Sequence, residues 1–146
     1  MQQYLALTAA DLTLPTPPQR ESTFVVAPRD GSDLSADEAA EAARDSAAWD
    51  SLLLARDAEA TPTRIVAAGD PQDAQSGFTS WDEVSDFYVD DAAGRALCAQ
   101  IFAARDQSSA DALMERLSEE PLMWFDASER AELAAVLAPA ETVGEV

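Results

Sequence analysis

The chain of 146 residues contains no lysine, no histidine and no asparagine. Without an imidazole, and with Cys98 as its single thiol, it lacks the side chains of nucleophilic triads, zinc sites and iron–sulfur clusters. Without lysine it forms neither a Schiff base nor a Walker-type phosphate loop. One cysteine also excludes an internal disulfide. These absences remove most familiar enzyme classes and leave carboxylates as the main chemical groups.

Long hydrophobic runs are absent as well. No stretch approaches the ~20 apolar residues that cross a bilayer, and the first residues show neither the basic nor the apolar region of a signal peptide. We therefore expect a cytoplasmic protein without membrane insertion.

What the sequence has in abundance is negative charge. Its 28 Asp and Glu against nine Arg give a net charge of -19, while 47% of the residues are hydrophobic. This hydrophobic content indicates a packed domain rather than an acidic disordered tail. Such a surface repels nucleic-acid phosphates and anionic lipids, and attracts a basic protein. Solubility, a GC-rich genome or a saline cytoplasm would explain the same charge without a partner.

Hydrophobic periodicity and turn residues predict alternating strands and helices. Strands are expected over residues 2–7, 22–27, 63–68, 83–89 and 122–125. Capping residues predict a helix from Ser35 to about Arg56 and another after Asp91. A short helix is expected after Ser108 or Ser109, and a last one opens at residues 126–129. Pro15, Pro17 and Pro18 predict an irregular connection after the first strand.

This order predicts one α+β domain over residues 1–139, followed by a frayed acidic tail over residues 140–146. We expect two layers, with a mixed or antiparallel sheet of about five short strands and helices mainly on one face. The two strand–helix–strand units suggest the split βαβ arrangement of ferredoxin-like sheets.

Carboxylates cluster around the fourth predicted strand. Asp82, Glu83, Asp86, Asp90 and Asp91 lie within ten residues of one another. They could hold Mg²⁺ or Ca²⁺, or act as an acid/base pair. A solvated strand face beside a helix N-terminus is the simpler interpretation. We predict no metal and no cofactor here, and instead a contact surface formed by Trp81, Asp82, Asp86 and Asp90.

Two other groups bear on a partner. Glu38, Glu41 and Asp45 lie on the polar arc of the first predicted helix, where they could contact basic groups or imitate phosphates. Trp81 precedes the acidic strand, and an exposed tryptophan beside charges marks contact surfaces, although its ring could also cover the edge of the core. Trp124 and Phe125 lie in an apolar strand, so one of them must point inward, and the core is the default position. Cys98 is expected as a buried apolar residue.

Several short strings together resemble a known family. They are Tyr4–Thr8, Ile65–Ala68, Phe87–Asp91 before an alanine-rich helix, and Pro121–Phe125, in that order. They resemble a family of small actinobacterial proteins that carry a domain of unknown function. The resemblance implies an actinobacterial cytoplasmic protein and supplies no activity or catalytic residue. The family has a helix after the first strand, where this chain has its prolines.

Three functions remain as hypotheses. The first is a non-enzymatic accessory or regulatory protein that docks on a basic or apolar surface of a larger complex. The second is a nucleic-acid mimic that occupies the groove of a DNA- or RNA-binding protein without binding nucleic acid itself. The third is a carboxylate-dependent Mg²⁺ or Ca²⁺ enzyme.

Overall fold

A computed structural model describes residues 2–20, 23–24, 36–73 and 75–137. These residues form five strands and four α-helices, together with three short 3₁₀ helices. The strands are β1 (Gln3–Leu7), β2 (Thr23–Phe24), β3 (Ile65–Gly69), β4 (Val84–Asp90) and β5 (Leu122–Asp126). The helices are α1 (Ala36–Asp57), α2 (Ala92–Ala103), α3 (Gln107–Ser118) and α4 (Arg130–Leu137). The predicted α+β class is confirmed.

The strands form one sheet in the order β2-β1-β3-β4-β5. Four strands have five or more residues, and β2 adds two described residues at one edge. Every strand pair in the described part of the chain is antiparallel. The ferredoxin-like arrangement is not confirmed, because β4 and β5, which α2 and α3 connect, are adjacent and antiparallel and have no strand between them. The longer strands instead follow one another across the sheet in chain order.

Helices cover both faces of this sheet. On the first face, which we call the α1 face, the α1 residues Ala43, Ala47 and Ala48 pack against Tyr4 and Val66. On the opposite α4 face, Leu133 and Leu137 of α4 pack against strand residues and the 3₁₀ helix Ala9–Thr13. The strand residues of that core are Leu5, Leu7, Ile65, Ala67, Phe87 and Val89. The predicted two-layer arrangement, with helices mainly on one face, is therefore corrected to three layers.

A third cluster joins α1 to α2 and α3. Leu52 of α1 packs against Leu97 and Ile101 of α2 and against Leu117 of α3. Nearby, the Ser51 hydroxyl donates to the Leu7 carbonyl at 2.7 Å and accepts the Ile65 N–H at 2.8 Å. This buried serine connects α1 to β1 and β3.

The alternation of side chains along β4 is interrupted near its start. The register shifts between Ala68 and Gly69, so that Gly69 pairs with Val84 while Ala68 pairs with Asp86. Val84 therefore joins the core on the α4 face with Phe87, although strict alternation would place it on the face of Asp86. A side chain on Gly69 would meet the Glu83 carbonyl, which explains glycine at this position.

The helix starts follow the predicted capping chemistry with one change. Asp91 caps α2 by accepting the Gly94 N–H at 2.8 Å, as predicted. Asp106 caps α3 by accepting the Ser109 N–H at 2.7 Å, so the prediction of Ser108 or Ser109 as the cap is wrong. A carboxylate at this position also interacts favourably with the helix dipole. The predicted cap Ser35 and the tail 140–146 lie outside the described residues.

A buried ion pair connects β3 and β4. The Arg64 Nη2 lies 2.6 Å from the Asp90 Oδ1, and its Nε lies 3.0 Å from Oδ2. The Arg64 backbone N–H donates to the same carboxylate at 2.8 Å, and its guanidinium also donates to the Glu120 carbonyl at 3.1 Å. The Asp90 side chain is 0% exposed. The pair therefore joins β3, β4 and the segment before β5.

Helix α2 closes over this ion pair. The Cys98 thiol donates to the Asp90 carboxylate at 3.4 Å, and the Arg95 guanidinium donates to the Asp90 carbonyl at 2.9 Å. Gly94 faces the same carboxylate, and a Cβ there would collide with it. Burial, and then the negative charge of Asp90, raise the pKa of the Cys98 thiol from 9.0 to about 12.

No helix in the described ranges is both long and apolar enough to cross a membrane.

Loss of Asp90 should destabilise the protein far more than loss of its neighbour. Asp90→Ala leaves Arg64 buried without its carboxylate and should lower the free energy of unfolding by about 3–5 kcal/mol. Asp91→Ala removes a helix cap and should cost about 1 kcal/mol. Urea unfolding of both variants measures the difference. Equal losses would contradict a structural role for the ion pair.

The buried thiol predicts a change in stability at alkaline pH. Because the folded pKa of Cys98 lies above its unfolded value, folding favours the neutral thiol. This contribution is complete below about pH 9 and is lost as the pH rises towards 12. Urea unfolding at pH values from 8 to about 11 should therefore show a steeper decline for the natural protein than for Cys98→Ser. Parallel declines would contradict this prediction.

Candidate protein-binding surface around strand β5

Among the four longer strands of the sheet, β5 is the most exposed to solvent. It pairs with β4 on one side, and within the described part of the chain it is the last strand of the sheet. Its five residues are partly or fully exposed, whereas all five residues of β1 and of β3 are buried. Exposed apolar edge strands are sites at which another chain can pair.

Trp124 stands on the α1 face of β5. It lies opposite Tyr88 in the register, and its side chain is 57% exposed. The indole Nε1–H donates to the Asp86 carboxylate at 2.8 Å. This bond holds a large aromatic ring at the surface with a carboxylate at its edge. Helix α1 packs mainly on β1 and β3; Tyr88 and Leu122 lie at the edge of this contact, and Trp124 does not join it.

An apolar groove lies on the α4 face of the same strand. It has a volume of about 260 Å³ and lies between β5 and α4. Met123 and Val136 line it and are 46% and 68% exposed, while Phe125 and Leu133 form its deeper part. Two adjoining faces of β5 therefore expose apolar side chains, with Met123 on one and Trp124 on the other.

Acidic side chains surround both faces. Asp91, Glu129 and Glu132 line the groove on the α4 face, with Arg95 as the basic residue whose guanidinium already bonds the Asp90 carbonyl. A smaller groove of about 230 Å³ on the α1 face is lined by Glu41, Arg44, Asp45, Arg64, Tyr88, Glu120, Pro121 and Leu122. Arg44 lies 4.9 Å above the Tyr88 ring and Arg64 is paired with Asp90. The field around β5 is therefore negative.

The alternation of hydrogen bonds along β4 and β5 shows which backbone groups of β5 face away from β4. The Asp90 N–H donates to the Arg64 carbonyl at 3.3 Å, on the β3 side of β4. Because these groups alternate along an antiparallel strand, Val89 and Phe87 bond towards β5, to their partners Met123 and Phe125. The N–H and C=O groups of Leu122 and Trp124 are then directed away from β4, towards the outer edge.

The next group on this edge is already occupied. The Asp126 N–H donates to the Glu129 carboxylate at 3.1 Å in a capping box, as expected for an N–H that also faces away from β4. Among the described residues of this edge, Leu122 and Trp124 therefore remain as the places where a further strand could bond.

Three of the residues predicted as a contact surface lie near β5. Asp86 bonds Trp124, and Glu41 and Asp45 line the groove on the α1 face. Glu38 is exposed one turn earlier on α1. The fold thus brings acidic residues of α1 and β4, distant in sequence, around one strand.

The remaining predicted residues lie elsewhere. Trp81 is half-buried against the core; its Nε1–H donates to the Leu14 carbonyl at 2.8 Å, and Arg130 lies 4.5 Å above its ring. Asp82 is exposed in the same 3₁₀ turn. Asp90 is 1% exposed and cannot reach a partner in the folded protein. The residues predicted as one acidic surface therefore lie in three places: around β5, in the 3₁₀ turn of Trp81 and Asp82, and in the buried interior.

The described residues hold no group of three or more Asp, Glu, Cys or His that could bind a metal ion. Glu83, which had been considered for such a group, accepts the N–H groups of Gln72 and Thr79 at 2.8 and 2.7 Å. These bonds lower the pKa of the Glu83 carboxyl and hold the loop before β4.

Sequence reasoning missed the exposure of Trp124 and Met123. An apolar strand of the pattern Leu-Met-Trp-Phe is typical of a buried strand, so we expected the core by default and required only one of Trp124 and Phe125 to point inward. Phe125 does pack against the core, but Trp124 does not. Only the position of β5 in the sheet distinguishes these outcomes.

Comparison of the chain with protein-family models, curated proteins and solved structures finds no match. The resemblance to the actinobacterial family stays a prediction.

Replacement of Trp81 and of Trp124 by serine should change the stability of the protein by different amounts. Trp81→Ser removes a ring packed on the core and should lower the free energy of unfolding by about 2 kcal/mol or more. Trp124→Ser removes an exposed ring and one surface hydrogen bond and should cost about 1 kcal/mol or less. Urea unfolding measures both. A larger loss from Trp124→Ser would show that this ring is structural.

Proposed function

We propose that this protein is a non-enzymatic accessory or regulatory protein that binds a basic protein surface through β5 and its flanking grooves. The observation that carries the proposal is Trp124, a large aromatic side chain that is 57% exposed and held in place by Asp86. Burial of such a ring in a partner is a major source of binding energy, because tryptophan is among the residues that dominate interfaces.

Preorganisation adds to this argument. The bond from the Trp124 Nε1 to Asp86 fixes the ring before any partner arrives, so less side-chain entropy is lost on binding. The neighbouring Met123 is a flexible apolar side chain that adapts to the shape of a partner. A rigid and an adaptable side chain thus lie side by side on one strand.

The charges indicate the kind of partner. Glu41, Asp45 and Asp86 lie on the α1 face, and Glu129 and Glu132 on the α4 face, so an anionic partner would be repelled from either side. Arginine and lysine side chains would be attracted and would speed the encounter at low salt. We therefore propose a partner whose contact surface combines basic and apolar residues, inside the cytoplasm.

The absence of enzymatic activity is part of this proposal. Carboxylates are the main chemical groups of this chain, and those around β4 already have partners: Asp90 bonds Arg64, Glu83 bonds loop N–H groups and Asp86 bonds Trp124. A carboxylate engaged in this way is poorly placed as a metal ligand or general base.

Substitution of Trp124 should remove the partner from the complex. The full chain carrying a terminal affinity tag should recover a stoichiometric partner from lysate of the cells of origin. Trp124→Ser should recover about tenfold less of that same protein, because a central anchor is lost. Quantitative mass spectrometry of the bound fraction measures the ratio.

Trp49→Ser is the matched control, because Trp49 is 41% exposed on α1 and lines neither groove beside β5. It should recover the partner as the natural chain does, and about 1 M salt should weaken both complexes since the Debye length is then ~3 Å. Equal recovery with Trp124→Ser would contradict the proposal. Displacement of the protein from its partner by duplex DNA would favour the nucleic-acid mimic, whose phosphate-like groups would be Glu38, Glu41 and Asp45.

A further inference from the structure

We propose that the partner supplies an extended basic segment, which adds to β5 as an antiparallel strand. This inference rests on the proposed function and names the form and chemistry of the partner. It is based on three features that occur together at β5: backbone groups that face outward, exposed apolar side chains and surrounding negative charge.

The outer edge of β5 has backbone groups that can pair with a further strand. The ladder phase directs the N–H and C=O groups of Leu122 and Trp124 towards the outer edge. Addition of a strand satisfies such groups with main-chain hydrogen bonds that do not depend on the partner's sequence. Antiparallel addition continues the pattern of the sheet, in which every pair of described strands is antiparallel.

The side chains of β5 give the added strand a preferred pattern. A residue opposite Trp124 would lie on the α1 face, beside an indole ring whose edge carries the Asp86 carboxylate. A guanidinium stacked on this ring would gain both a cation–π contact and an opposite charge. Arginine is therefore preferred at alternate positions of the segment.

The intervening residues would lie on the α4 face. There they would meet Met123 and the apolar groove that Phe125, Leu133 and Val136 line. Small β-branched residues such as valine suit both this groove and an extended backbone. The preferred segment thus alternates basic and apolar residues, in accordance with the period of two along a strand.

Negative charge argues against a second copy of this chain as the occupant. Two copies paired at β5 would bring Asp126 and Glu129 of each, and the net charge of -19 of each, close together. Like charges opposed in this way are unfavourable. A basic segment removes that repulsion.

The test uses the full chain and a probe peptide of about eight residues that alternates arginine and valine. In antiparallel pairing the arginine residues would lie opposite Leu122 and Trp124, so their N–H groups would point towards β5. N-methylation of the arginine residues should weaken binding about tenfold or more, because N–H groups that pair with β5 are lost. N-methylation of the valine residues is the matched control and should leave binding nearly unchanged.

Amide exchange gives a second measurement on the natural protein. The N–H groups of Leu122 and Trp124 should exchange more slowly when the peptide is bound, and those of α1 should not change. A peptide that alternates glutamate and valine should not bind. Failure of the arginine peptide to bind, equal binding of the two methylated peptides, selective loss with the valine-methylated peptide, or dimerisation through β5 would each overturn the inference.

Two variants test the contribution of the Trp124 backbone N–H separately from that of its ring. Trp124→Ser removes the ring and keeps the N–H, whereas Trp124→Pro removes both without loss of a bond to β4. The proline variant should bind the arginine peptide about tenfold more weakly than the serine variant.

The two proposals can fail separately. Loss of the cellular partner with Trp124→Ser, without amide protection by the peptide, would leave the proposed function standing and overturn strand addition. Protection of Leu122 and Trp124 by the peptide, with a cellular partner insensitive to Trp124→Ser, would overturn the proposed function.

Discussion

The buried pair of Arg64 and Asp90 connects three parts of the fold: the start of β3, the end of β4 and the segment before β5. It lies where the end of β4 meets the start of β3, with the Asp90 side chain fully buried. A carboxylate in such a position is stable only with a full set of donors, and it receives them from the Arg64 side chain, the Arg64 backbone and Cys98. Because the same guanidinium bonds the Glu120 carbonyl, the pair also positions the start of β5.

The unequal cover of the sheet makes β5 different from its neighbours. Helix α1 packs on β1 and β3, and α4 packs on the opposite face near the centre of the sheet. The helices α2 and α3, which connect β4 to β5, pack instead against the end of α1. Neither face of β5 is therefore fully covered, and its apolar side chains form a surface rather than a core. An apolar edge of this kind is costly for a monomer unless another chain covers it.

In the proposed function, negative charge gives this surface its selectivity for a basic partner. An exposed apolar strand pairs readily with any similar strand, including its own copy. Carboxylates on both flanking faces oppose such pairing and favour basic segments. The acidic composition, which solubility alone could explain, would then also protect the edge from self-association.

From its local patterns, the sequence predicted the class of the fold, the approximate positions of the described elements and the caps at Asp91 and at residues 126–129, because periodicity and capping are local properties. It also determined the charge and the missing imidazole and amine groups. The tertiary structure alone decided that Asp90 is buried, that Trp81 covers the core and that Trp124 is exposed. These outcomes depend on strand order, on the bulge at Gly69 and on which helix covers which strand. An apolar strand has the same local pattern in the centre of a sheet and at its edge, and only its neighbours distinguish the two.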